Sequence, residues 1–190
     1  DEARVAKWGV TITANGETFA KDYATDDAVF TEAKSVISTD KVVAPGTKGD
    51  MASVELTGTP EVAVRVSYEA DIELNGWELS DNSPYCPLVF KINNASYLAD
   101  PMGGMANYRC ANIEELIQKM EAAIAAYSKD YPAGTDLSTV GADALGITWE
   151  WAFSNGDSYD AKDTDLGNKA ANGEAATVSI TVKTTVTQID

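Results

Sequence analysis

The sequence predicts an all-β fold, an antiparallel jelly-roll-like β-sandwich with one main helix and decorated loops, and three observations carry that expectation. Val62, Val64, Val66, Tyr68, Ala70, Ile72 and Leu74 alternate without a break with Ala63, Arg65, Ser67, Glu69, Asp71 and Glu73. Comparable alternation recurs near the start, at Ile147–Phe153 and at Ala176–Ile189. Helical periodicity stands out in one stretch, about 112–127. One-sided strands separated by turn signals suit sheets with one face on a core and one in water. The 190 residues suffice for one well-filled core, so residues 1–190 read as a single domain.

Taken in order, Ala6, Trp8, Val10 and Ile12 share one face of an opening strand, with Lys7, Gly9 and Thr11 on the other. Asn15-Gly16 makes a turn, because both residues accept positive φ, and Thr18–Tyr23 returns as a short strand. Asp26 to Ser38 reads as loop with a short helix capped by Asp26 or Asp27, strand being the alternative its threonines and valines allow. Pro45-Gly46 sets a turn with strand on either side. Val54 and Leu56 form a short strand stopped by Gly58-Thr59-Pro60, and the long alternating strand follows.

Turn residues dominate Asn75–Tyr85, with Trp77 and Leu79 as strand fragments, and Leu88–Ile92 restores strand character. Asn93–Cys110, small and polar, reads as an excursion from the body of the domain. In the helix, Asn112 caps the N-terminus, Glu114 and Glu115 favour its positive end, and Ile113, Leu116, Ile117, Met120, Ile124 and Tyr127 line one side. Its acidic polar face is unsuited to a membrane surface. Ile147, Trp149, Trp151 and Phe153 fall on one strand face, Ser154–Gly173 reads as a polar loop, and Val178, Ile180, Val182 and Val186 define the last strand.

Thirty acidic residues against 14 basic ones, a formal net charge of −16, work against nucleic acid or an anionic membrane as partner. No run of eighteen apolar residues is present to span a membrane. The sequence is expected to be that of a secreted, cell-surface protein whose signal peptide has been removed. The paired count of cysteines, Cys86 and Cys110, fits a disulfide in an oxidising compartment, worth about 3 kcal/mol in the chain-entropy model.

The absence of histidine removes Ser-His-Asp and Cys-His catalysis, HExxH zinc sites and the commonest transition-metal ligand. No phosphate loop or dinucleotide fingerprint appears, so the expectation is a protein without enzymatic activity or cofactor. Glu150 between Trp149 and Trp151 suggests glycosidase chemistry, but alternation places it opposite both indoles, as a solvated carboxylate beside two core tryptophans. Asp157, Asp160, Asp163 and Asp165 are weak Ca²⁺ candidates: their spacing is not that of an EF-hand loop, and a solvated acidic loop is preferred. Asn94-Ala95-Ser96 is a formal glycosylation sequon, and Lys183 raises a Lys–Asn isopeptide as an idea. No sortase-type sorting signal ends the sequence.

Asp1-Glu2-Ala3-Arg4-Val5-Ala6-Lys7-Trp8-Gly9-Val10, Val43-Ala44-Pro45-Gly46-Thr47, Trp149-Glu150-Trp151-Ala152-Phe153, Asp163-Thr164-Asp165-Leu166-Gly167 and the closing valine-threonine strand together resemble the TasA/camelysin family. That family includes biofilm matrix fibre subunits of Gram-positive bacteria, and related subunits form archaeal bundling pili. The resemblance implies an exported jelly-roll subunit, cut at its N-terminus, that polymerises with identical subunits into a homopolymeric filament by donor-strand exchange. Asp1 to about Trp8 would be the donor strand, with Asp1–Lys7 the better part of it and Trp8–Thr13 in the subunit's own sheet. Camelysin is described as a metalloprotease, and a chain without histidine departs from that pattern. The alternative is a secreted carbohydrate-binding β-sandwich using Trp77, or Tyr85, Tyr97 and Tyr108.

Overall fold

The computed structural model describes residues 6–14, 17–23, 29–33, 46, 48–50, 55–102, 106–151 and 157–189. Twelve strands and two α-helices are present among them: β1 Lys7–Ala14, β2 Glu17–Tyr23, β3 Val29–Ala33, β4 Lys48–Asp50, β5 Glu55–Thr57, β6 Val64–Asn75, β7 Leu88–Ile92, β8 Ala95–Ala99, β9 Tyr108–Cys110, α1 Ile113–Ala126, β10 Ser128–Tyr131, β11 Ile147–Trp151, α2 Asp157–Ala171 and β12 Thr177–Gln188. The chain is mostly β. Its strands form three sheets, ordered β2-β1-β5, β10-β6-β12-β3 and β4-β11-β7-β8-β9. Every pairing is antiparallel except β8 with β9.

The frame is the β6–β12 ladder, twelve residue pairs from Asn75↔Thr177 to Val64↔Gln188. The period-two pattern of β6 buries Val64, Val66, Tyr68, Ala70 and Ile72 and exposes Arg65, Glu69, Asp71 and Glu73. Its partner buries Val178, Ile180, Val182 and Val186 on the same side. Each buried valine or isoleucine among them contributes about 1.5–3 kcal/mol through the water it releases. Buried residues from β1, β6, β7, β8, β11, β12 and both helices join in one continuous core.

Helix α1 starts where Asn112 accepts from the Glu115 backbone N–H at 2.8 Å, while the Glu115 carboxylate accepts from the Ala111 N–H at 2.7 Å. Its buried stripe, Leu116, Met120 and Ile124, packs on β6 and β8 and so links the four- and five-stranded sheets. The expected helix at 112–127 is therefore present.

Three stretches differ from their sequence reading. Val29–Ala33, read as loop and short helix, is a strand hydrogen-bonded to β12, because the exposed edge of that ladder offers more backbone partners than an isolated short helix would. Positions 24–28 and 34–45, with the proposed Asp26 or Asp27 cap, lie outside the described residues, as do Asn15-Gly16 and Phe153. Asn93–Cys110 is no excursion: β8 and β9 extend the five-stranded sheet. Tyr97, Leu98 and Ala99 are all buried, and a strand covered on both faces shows no alternation to read. Within Ser154–Gly173 lies helix α2, whose inward side carries Leu166 and the buried Asp163. A carboxylate in the apolar stripe conceals the helical period.

Candidate functional site

β1 is the middle strand of its sheet, between β2 and β5, and it buries Trp8, Val10 and Ile12 almost completely. Lys7 pairs with Tyr23, its carbonyl accepts from the Glu61 N–H at 2.9 Å, and its own N–H donates to the Glu61 carboxylate at 2.8 Å. Lys7 and Trp8, placed by sequence at the end of a donor segment, thus belong to the chain's own sheet. The packing of the indole fixes them there. Asp1–Val5 lie outside the described residues, and Ala6 is half-buried ahead of β1.

β5 pairs with β1 along one edge only, and no other strand joins it among the described residues. Beside that open edge runs a groove of about 310 Å³. Leu56, Val66, Leu137 and Val140 supply apolar surface, and Glu55 and Asp143 stand among its lining residues. The far wall is a pair of 3₁₀ turns, Leu137–Thr139 and Gly141–Asp143. Asp136 starts the first by accepting from the Ser138 hydroxyl at 2.6 Å and the Ser138 N–H at 3.0 Å, and these hydrogen bonds hold its carboxyl below the ordinary range. The turns are tied to the end of β5 by Leu137 N–H to Gly58 C=O at 2.9 Å and Gly134 N–H to Pro60 C=O at 2.8 Å.

One end of the groove is fixed by tyrosines. Tyr131 donates to Asp143 Oδ2 at 3.1 Å, and Tyr127 donates to the Asp143 carbonyl at 2.5 Å. Tyr68 stacks on Tyr127 with ring centroids 5.9 Å apart. Burial, followed by the hydrogen bond to Asp143, pushes the Tyr131 phenol up, and burial does the same for Tyr68. Both phenols remain neutral at physiological pH. Sequence reasoning missed this wall. Its available signals were the capping spacing Asp136-Leu137-Ser138 and the apolar Leu137, Val140 and Leu145 in an otherwise polar connection.

Other expected site residues are dispersed. Trp77 is 2% exposed, its Nε1–H donates to the Thr177 carbonyl at 2.9 Å, and it meets Trp151 edge-to-face at 5.7 Å, so it cannot stack on a ligand. Tyr85 is fully buried and donates to Asp163 Oδ1 at 2.6 Å. Tyr108 stands exposed, stacked on the buried Tyr97. Trp149 and Trp151 point inward and Glu150 outward, as the alternation requires.

Of the four aspartates considered for Ca²⁺, Asp163 is engaged by Tyr85, and Asp165 accepts from the Ser80 N–H at 2.8 Å and from its hydroxyl. All four are in helix α2, not in a loop, and no cluster of three or more metal-ligating side chains occurs among the described residues. Lys183 lies in register with Glu69 and Glu32 rather than with an asparagine. Asn94 is exposed in the β7–β8 turn.

The expected disulfide is absent: Cys86 and Cys110 are free, buried thiols. Cys86 leads into β7 and Cys110 ends β9, with β8 between the two strands. Two strand spacings amount to roughly 9–10 Å, beyond the ~7 Å that a disulfide spans between α-carbons. Burial pushes the Cys86 thiol up to about 12 and raises Cys110 also, which leaves both unreactive.

No helix among the described residues is long and apolar enough to cross a membrane. No family model, curated protein or solved structure matches the chain at a significant level.

Proposed function

We propose that this chain is an extracellular structural subunit, without enzymatic activity, that assembles with copies of itself into filaments of the biofilm-matrix or pilus kind. In this reading the sheets form a jelly-roll-like sandwich, and the segment ahead of β1, residues 1–6, pairs with the open edge of β5 on the next subunit. The observation that carries the proposal is that edge, with the apolar groove beside it. An added strand would satisfy backbone N–H and C=O groups along the edge and close the groove to water. Ala3 and Val5 share one face of an extended segment and are small enough for such a groove, with Glu2 and Arg4 on the other face. The resemblance to TasA/camelysin fibre subunits points the same way.

Electron microscopy of the full chain and of a chain lacking residues 1–6 tests the proposal, since the truncation leaves β1 intact. Filaments are expected from the full chain and monomers from the truncated one. Val140→Glu, which places a charge in the groove, is expected to block assembly while circular dichroism stays native. A full chain that remains monomeric at every concentration, or a truncated chain that forms normal filaments, would overturn it.

A further inference from the structure

The β7–β8 turn and the β9 edge frame a shallow depression of about 480 Å³, lined in part by Asn93, Asn94, Tyr97, Asn107 and Tyr108. Tyr108 is 47% exposed, the large hydrophobic side chain that stands out in solvent among the described residues. Its ring lies on that of Tyr97, centroids 4.7 Å apart and planes 15° from parallel. Tyr97 is itself only 6% exposed, so it holds one face of Tyr108 and leaves the other to solvent. The ring is thereby oriented in advance of any ligand, at little further cost in side-chain entropy.

Two amides flank the platform with their oxygens already engaged. Asn93 Oδ1 accepts from the Gly146 N–H at 3.1 Å. Asn107 Oδ1 accepts from the Ser96 N–H at 2.8 Å and the Ser96 hydroxyl at 3.0 Å. In both, the Nδ2 group is the end left to donate. No charged side chain is among the described residues that line the depression, in a chain of net charge −16.

A flat aromatic face beside fixed, neutral hydrogen-bond donors suits a ligand that offers C–H groups on one face and hydroxyl oxygens at its rim. An anion would find no cation among the lining residues, and a cation no carboxylate. We infer that the Tyr97–Tyr108 platform is a binding site for a neutral saccharide, with a pyranose ring on Tyr108 and its hydroxyls accepting from Asn93 and Asn107. The site stands apart from the β5 groove and does not depend on polymerisation.

Saturation-transfer NMR with the full chain, produced without glycosylation so that Asn94 carries no sugar of its own, tests the inference. The probes are neutral oligomers of glucose, mannose, galactose and N-acetylglucosamine. Because the ligand is observed, the measurement works on monomer or filament alike, and its result is independent of the assembly proposal. Transfer to ring C–H protons of at least one oligomer is expected, with affinity about tenfold weaker in Tyr108→Ala and retained in Tyr108→Phe. Absence of transfer from every oligomer, or transfer unchanged in Tyr108→Ala, would overturn it.

Discussion

The α-carbon of Gly58 lies against the backbone of Gly9: a β-carbon at position 58 would stand 2.0 Å from the Gly9 carbonyl oxygen and 2.9 Å from its carbon. Gly58 also has φ +109°, a conformation that side-chain-bearing residues rarely adopt, and Gly9 has φ +58° at the irregularity in the β1–β2 register. The contact locks the end of β5 to the start of β1, and Gly58 in turn accepts from Leu137 in the groove wall.

Gly58→Ala is accordingly expected to cost at least about 2–3 kcal/mol, through positive φ and collision with backbone that cannot move aside. Chemical denaturation measures it. A loss below half a kcal/mol would show that the close approach is not required.

Asp163 is 4% exposed, and its Oδ2 has no hydrogen-bond partner among the described residues. Burial raises its carboxyl above the ordinary aspartate range, only partly offset by the Tyr85 hydroxyl and by the nearby Trp151 indole, whose N–H closes no hydrogen bond. A proton bound more tightly in the folded state stabilises the fold fully below the ordinary aspartate pKa of about 3.9. That contribution is lost as pH rises through the folded value. Asn keeps the acceptor for Tyr85 and removes the titration, so Asp163→Asn should gain stability relative to the parent as pH rises from acid to neutral. Urea midpoints across that range decide it, and a pH-independent difference would contradict the account.

Thr184 faces the core opposite Tyr68, fully buried, and its hydroxyl has no partner among the described residues. It interrupts the valine and isoleucine series of β12. Thr184→Val keeps the shape and removes an unsatisfied polar group, so a gain of about 1 kcal/mol is expected. Thermal unfolding reads it out, and a fall in the midpoint would indicate that the hydroxyl is satisfied.

Both cysteines should resist iodoacetamide in the native state and react after denaturation without any reductant. Alkylation that requires prior reduction would restore the disulfide that their number suggests.

What the sequence alone determined is what local period encodes. The faces of β1, β6, β11 and β12, the inward Trp149 and Trp151 with Glu150 outside, and the Asn112-capped helix all follow from residue order, because each has one buried side and one wet one. For Trp8 residue order allowed both the end of a donor segment and the chain's own sheet, and the burial of its indole in β1 decided for the sheet. Only the tertiary structure decided the rest. Strand β8 emerged because burial on both faces erases alternation, β9 because three residues, with Tyr108 and Arg109 exposed, are too few to show a period, and α2 because its inward face includes Asp163, whose hydrogen bond to Tyr85 comes from 78 residues away in sequence. Burial of Trp77 and Tyr85, exposure of Tyr108, separation of the cysteines by β8 and the groove beside β5 depend on which strands become neighbours. Those choices are made by long-range pairing, and no local window of the sequence contains both partners.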